Sequence, residues 1–412
     1  MKGRKVSIAS VQWRLASRKE ICQTFSACIP PCNQPDFVMT TASDAPSRDS
    51  LPFLGIDAKT MIAPGKPMTS GGRFRARARG DEGEIFHVMS RTCGGEMLLG
   101  DVEREALQRL LRKMAAFLGI EVLTYAVMGN HFHGLIMVPT QAQWLKRFDG
   151  PQGEEALLKH LGTFYGKGYV AVLRSELAGL HASGNAHRLA ERLAPLKRRF
   201  CDLAIFCKEL KERFTRWFNK RTGRKGTLWM SRFKSVLVEN GPALRTIAAY
   251  IDLNPVRAGL VEDPQDYRWS GYGEAMGGSE VAQRGLCKVL GVGLESWARP
   301  MPREEASARE QYRVWLYSDG KERVNRAGAV TKAGFSREVS ERVAKEGQGR
   351  LSTAELLRTR IRHLSQGVAV GGRAWVEAVF AANRQHFGPK RKTGARKLRA
   401  SDSDLWSMRD LG

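Results

Sequence analysis

The chain has 412 residues, 42% of them hydrophobic, with 67 Lys+Arg against 42 Asp+Glu and a formal net charge of +25. Its length allows about two to three domains; no stretch approaches the roughly 18 uninterrupted apolar residues of a membrane span; and the basic start MKGRKVSIASVQWRLASRKE lacks the apolar run of a secretory signal, so a cytoplasmic protein is expected. Charge of this sign selects polyanions as partners, nucleic acid first, and leaves the activity open.

The charge is uneven along the chain. Residues 1–80 hold 13 basic and 5 acidic residues (+8), 81–300 hold 31 and 24 (+7), and 301–412 hold 23 and 13 (+10). The balanced middle reads as the folded core. Residues 1–70 are rich in Pro, Ser, Thr and Gly, as in IPPCNQPD and TTASDAPSRDSLPF. Such composition buries too little apolar surface to offset chain entropy, which predicts a mostly disordered, basic extension over 1–80. Arg73, Arg75, Arg77 and Arg79 alternate with Phe or Ala; a solvated strand edge and a basic arm along phosphates both fit. Cys28 and Cys32 resemble half a metal site, but no second Cys/His pair lies near them, so reduced thiols are the better reading.

From residue 84 the pattern changes. EIFHVMSR is β-branched and aromatic enough for a strand, and Gly94-Gly95 closes it. DVEREALQRLLRKMAAFLG carries Val102, Leu107, Leu110, Leu111, Ala115 and Leu118 at helical spacing, with Asp101 placed to cap the start and Gly119 to end it. IEVLTYAVM and HFHGLIMV read as strands joined by a tight turn at Gly129-Asn130. Residues 140–226 read mainly as helix, with an insertion at about 150–195. FKSVLVE (233–239) is predicted as a strand and PALRTIAAYIDLN (242–254) as a helix. The order β-α-β-β-α-β-α predicts an α+β protein whose sheet carries its helices on one face. Beyond about 275 the chain is loop-like. Residues 300–412 then read as a helical, basic region: a capping box at Ser352–Glu355 opens one helix, and a second runs from Arg373 to about His386. A helix-turn-helix and a plain helical hairpin both fit that pair, the hairpin better, because the connecting loop is long.

Three features could carry chemistry. His131 and His133 flank Phe132 on a strand, so both imidazoles project to one face, roughly 7 Å apart along it. Two imidazoles on one face can converge on a divalent cation, although ordinary histidines near a sheet end share the pattern. Tyr250 falls about 110° from the centre of the Leu244, Ile247, Ala248 and Ile251 stripe, at its border, with Asn254 on the same side one turn later. A boundary tyrosine and a hydroxyl aimed into a groove are both open. Residues 195–235 contain 13 Lys+Arg against Asp202, Glu209 and Glu212, interleaved with Phe214, Trp217, Phe218, Trp229 and Phe233. Basic residues neutralise phosphates and aromatic rings stack on unpaired bases.

VMGNHFHGLIMVP, RFTRWFNKRTGRKGTLWMSRFKS and AAYIDLNPVRAGLVEDPQDYRWSGY together resemble the REP-associated tyrosine transposases, the single-tyrosine branch of the HUH endonucleases, over about residues 83–275. The resemblance implies a ferredoxin-like β-α-β-β-α-β sheet in a domain spanning 81–275. It assigns Tyr250 as nucleophile, His131 and His133 as ligands of Mg²⁺ or Mn²⁺, and Asn254 as the polar residue that completes the metal site. The expected DNA contacts are Arg91, Arg213, Arg216, Lys220, Arg224, Lys225, Arg232, Lys234 and Arg257. The long start, the insertion and the C-terminal region depart from the family pattern, which leaves mobility open beside strand cleavage.

The implied reaction is cleavage and transfer of single-stranded DNA beside a hairpin through a 5′-phosphotyrosine, in a nucleoid-associated protein; a homodimer is left open. Two other classes remain. A non-catalytic hairpin-DNA-binding descendant would have lost Tyr250 or a histidine, and all three are present. A metal-dependent phosphoesterase using an activated water would need carboxylates near the histidines, and 125–139 contains none.

Overall fold

Strand β1 (Glu84–Arg91), helix α1 (Asp101–Leu118), and strands β2 (Glu121–Val127) and β3 (His131–Val138) follow in chain order. The computed structural model describes residues 83–299, 306–319, 323–324, 330–332, 367–397 and 405–409. The N-terminal extension, the Arg73–Arg79 run and the helix expected from Ser352 lie outside the described residues. Helix α1 starts from Gly100 without a side-chain cap, so Asp101 is not the cap; it sits in the first turn, paired with Arg104. Val102, expected in the buried stripe, is exposed. Gly119 ends the helix in the left-handed conformation, at φ 69°.

The chain between β3 and β4 (Lys234–Val238) is helical: α2 (Gln141–Leu145), α3 (Gly153–Tyr165), α4 (Lys167–Ala182), α5 (Ala186–Arg198) and α6 (Leu203–Thr222). After β4 come α7 (Pro242–Asp252), the one-turn α8 (Asn254–Arg257), α9 (Gly271–Met276), α10 (Glu280–Leu290) and α11 (Ala308–Asp319). Short strands β5 (Arg323–Val324) and β6 (Val330–Lys332) pair with each other. Then follow β7 (Gly367–Gly371), α12 (Arg373–Ala382), β8 (Arg396–Lys397) and β9 (Trp406–Arg409). The described residues after 300 are therefore mixed, with strands beside helices, and the helix from Arg373 stops at Ala382, four residues short of His386.

The main sheet has seven strands in the order β2-β3-β1-β4-β7-β9-β8. All neighbours are antiparallel except β4 and β7, which are parallel. Helices cover both faces, contrary to the one-sided packing expected from element order. Phe86, Val88, Val122, Phe132 and Ile136 face a core shared with α1, α3 and α6. Leu123, Ala126, Leu135, Val236 and Val238 face a second core built on α7, α10 and α11. Two apolar faces explain why β2 is buried along almost its whole length rather than alternating.

Close approach on the second face depends on glycine. A Cβ at Gly285 would lie 2.4 Å from the Leu123 carbonyl oxygen, and one at Gly271 would lie 2.2 Å from Thr124 Oγ1. These positions let α9 and α10 rest on β2. The outer edge of β2 is itself covered, because Val127 N–H donates to the Trp269 carbonyl and Ala126 bridges Ser270.

Candidate active site

The antiparallel register of β1 and β3 sets Arg91 opposite His131, Met89 opposite His133 and His87 opposite Leu135. Partners directly opposite share a face, so His87, Arg91, His131 and His133 all project toward the side covered by α7. That helix starts with Pro242 at its first turn and buries nearly every residue. Tyr250 comes off its last turn, and its ring lies edge-on to His133 at 5.7 Å and to His87 at 6.0 Å. The His131 and His133 rings are 5.0 Å apart and nearly perpendicular.

Tyr250 is more enclosed than its place on the helical wheel indicated: it is 4% exposed, with its ring against the two imidazoles. The wheel measures one helix alone, and here the sheet closes over a flank the helix pattern leaves polar. Burial raises the phenol pKa, and the Arg257 guanidinium pulls it down. Arg257 lies 5.1 Å from the Tyr250 ring centroid, and its Nη1 donates to the Tyr250 carbonyl at 3.1 Å.

Asn254 donates its side-chain amide to the carbonyls of Tyr250 (3.0 Å) and Ile251 (3.2 Å). It thus closes the end of α7, satisfying carbonyls that a helix C-terminus leaves orphaned. Its amide nitrogen is engaged in the helix.

Burial keeps both histidines away from the charged form. Burial and then Arg91 lower His131 to about 4. His133 is held well below the usual imidazole range, first by burial and then by the charges of His87, His131, Arg91 and Arg257. Both rings are neutral at physiological pH, as ligands must be. His131 Nδ1 lies 2.6 Å from Asn130 Oδ1, and Asn130 Nδ2 in turn donates to the Gly95 carbonyl at 2.8 Å. The second bond fixes the amide orientation, so His131 donates through Nδ1 and Nε2 keeps the lone pair. Among the described residues, no group of three or more His, Cys, Asp or Glu could hold a metal ion. His131 and His133 share this face of the sheet, with their rings 5.0 Å apart.

Asp252, two residues after the tyrosine, is fully buried. It accepts from Thr124 Oγ1 on β2 (2.7 Å), Tyr312 Oη on α11 (2.5 Å) and, more weakly, the Tyr272 N–H on α9 (3.4 Å). Burial pushes its carboxyl up to about 7 against the pull of those donors. Sequence reasoning missed both Asp252 and His87. Each sits in a mostly buried element, and its partners come from strands and helices far away in sequence. The alternation of β1, which puts His87 and Arg91 on one face, was the available signal.

The expected DNA contacts divide. Arg91, Arg216, Lys220, Lys225 and Arg232 are exposed, while Arg224, Lys234 and Arg257 are half-buried. Arg224 lies 3.7 Å from Glu96. Arg213 is half-buried; it pairs with Glu209 at 3.4 Å and lies over the Phe164 ring. The stacking aromatics are corrected. Phe214, Phe218 and Trp229 belong to the core, and only Trp217 and Phe233 are partly exposed.

No helix among the described residues is long and apolar enough to cross a membrane. No family profile and no curated protein matches the chain. Among solved structures the chain is similar to one described as "Structure of the REP associates tyrosine transposase bound to a REP hairpin", with 15% identity and a TM-score of 0.30, over 51% of this chain and 87% of that one.

Proposed function

We propose that the chain cleaves and transfers single-stranded DNA through a 5′-phosphotyrosine at Tyr250, beside DNA hairpins, with Mg²⁺ or Mn²⁺ at His131 and His133 and Asn254 as the weakest ligand. The observation that carries this reading is the convergence of a tyrosine and an imidazole pair from separate motifs, with the Tyr250 and His133 rings 5.7 Å apart. The strand order β2-β3-β1-β4 supports a ferredoxin-like arrangement for this part of the sheet.

When bound, the cation supplies positive charge to the scissile phosphate. Arg91, opposite His131, and Arg257, over Tyr250, flank the imidazoles with fixed charge that draws the DNA backbone in. Tyr250 Oη attacks phosphorus, and the bond to the 3′ oxygen breaks. The phenol gives up one proton and the departing 3′ oxygen gains one, so the transfer is proton-neutral. Attack by a new 3′-hydroxyl on the phosphotyrosine reverses the exchange and needs no nucleotide cofactor. Burial favours the protonated phenol, so Tyr250 enters the reaction carrying the proton it gives up as the bond forms. Asn254 and Arg257, both bonded to the Tyr250 carbonyl, hold the end of α7 while the bond forms.

One observation favours a non-catalytic hairpin-binding protein in the nucleoid: the low exposure of Tyr250. Incubation with hairpin-flanked single-stranded DNA and Mn²⁺, followed by a denaturing gel, separates the two. A covalent protein–DNA band supports the enzyme; binding without a band supports the alternative.

A further inference from the structure

His87 Nε2 lies 2.9 Å from His133 Nδ1, with both side chains buried. The ring centroids are 5.1 Å apart and the planes differ by 23°, so the rings meet edge to edge and nearly coplanar. A hydrogen bond between two imidazole nitrogens holds one proton, and its position decides what the opposite edge of each ring can do. If Nδ1 of His133 carries it, Nε2 of His133 keeps a lone pair. If His87 carries it, the neutral His133 must be protonated at Nε2 and cannot ligate a cation. His131 has no such choice, because its Nδ1 partner is an amide oxygen, which only accepts.

We propose that His87 is a positioning residue: it accepts the Nδ1–H of His133 and locks that ring in the tautomer whose Nε2 can bind metal. The inference deepens the reading of His131 and His133 as the metal pair and rests on it. His87 is not a third ligand, because its Nε2 is spent on His133, and no three-residue ligand group forms among the described residues. The site then has one outer partner per imidazole: Asn130 sets His131 and His87 sets His133. They differ in kind, since the amide permits one tautomer and the imidazole must be in the right one itself.

Tautomers can be read without metal or DNA. In the full-length protein with ¹⁵N-labelled histidine, long-range ¹H–¹⁵N correlation distinguishes a protonated ring nitrogen from a bare one. Both His131 and His133 are expected to be protonated at Nδ1. In His87→Phe, which keeps a ring but removes the acceptor, His133 should shift toward the Nε2-protonated form, and Mn²⁺ affinity by calorimetry should fall about 10–100-fold. His87→Gln should restore most of both, because a glutamine amide oxygen can reach where Nε2 stood.

Wild-type His133 protonated at Nε2 would overturn the inference, as would a folded His87→Phe with unchanged tautomer and Mn²⁺ affinity. If His87→Phe does not fold, the wild-type spectrum and His87→Gln still decide. A wild type that binds Mn²⁺ no better than the His131→Ala/His133→Ala double variant would defeat the metal reading instead, and the spectra would still report on His87.

Discussion

At the residue scale the proposed chemistry rests on one oxygen and two lone pairs, and substitutions can remove each with little else. Tyr250→Phe keeps the ring against His87 and His133, so melting temperature and DNA affinity should stay near wild type while strand cleavage is lost. Undiminished nicking by that variant would reject the tyrosine. Asn254→Ala should weaken apparent Mn²⁺ affinity without eliminating cleavage, because its nitrogen already serves the end of α7. A metal titration that does not move would remove Asn254 from the site. Lys211 shows how a basic residue in the sequence can differ from a basic residue on the surface. Its ammonium donates to the Ser231 carbonyl beside the Trp229 ring, and burial lowers its pKa to about 8. The native state thus gives up this proton near pH 8, while the unfolded chain keeps it to about 10.5. Wild-type stability relative to Lys211→Met should rise with pH across that window and stay flat below it, as thermal melts at pH 7 and 9.5 would show. Spacing alone puts the imidazoles on one face and Tyr250 at the border of its stripe, while their roles come from the family resemblance. Their mutual distance, His87 and Asp252 were not legible, since each depends on strand register or helix packing.

Element by element, β1, α1, β2, β3, β4 and α7 could all be read from periodicity and turn residues, with ends shifted by one or two positions. What periodicity could not show was the second covered face of the sheet. A strand buried on both sides and a strand buried on one differ only in the polar positions, and here those positions hold His87, Thr124, His131 and His133. The basic-aromatic segment misled for a related reason. Helix α6 is amphipathic in the ordinary way, so Phe214 and Phe218 are core residues and Arg213 is an internal partner of Glu209. The tyrosine helix is held from three sides at one residue, through the bonds of Asp252 to Thr124, Tyr272 and Tyr312. Tyr312→Phe removes a donor to a buried carboxyl and should cost about 1–3 kcal/mol of stability. Cleavage should fall more than DNA affinity, because α7 carries the proposed nucleophile and the phosphate contacts expected on α6 are untouched. Equal losses in cleavage and affinity would show that Asp252 supports the fold without aiming the tyrosine.

Across the whole molecule, the boundary near residue 275 does not divide the sheet. Strand β7 pairs with β4, the strand that leads into α7, and Trp315 of α11 is buried in the core that Tyr250 joins. In the sequence, with +7 over 81–300 and +10 beyond, the C-terminal part could add only affinity or pack on the rest through Trp315, Trp375 and Phe380. The pairing shows that it completes the fold. Residues 81–300 alone should melt lower than the full chain and yield less covalent adduct. Removing residues 1–80, which carry +8, should instead weaken binding uniformly across sequences and flatten the log–log salt slope, with adduct yield at saturating DNA unchanged. A fragment of residues 81–300 with full-chain stability and full adduct yield would contradict this division. The central claim, that Tyr250 becomes covalently joined to DNA, is tested most directly by peptide mass spectrometry of full-length protein reacted with hairpin-flanked single-stranded DNA and Mn²⁺. The expected result is a 5′-phosphonucleotide on the peptide containing Tyr250, absent in Tyr250→Phe. A nucleotide on a different residue, or cleaved DNA with no protein adduct, would contradict the account.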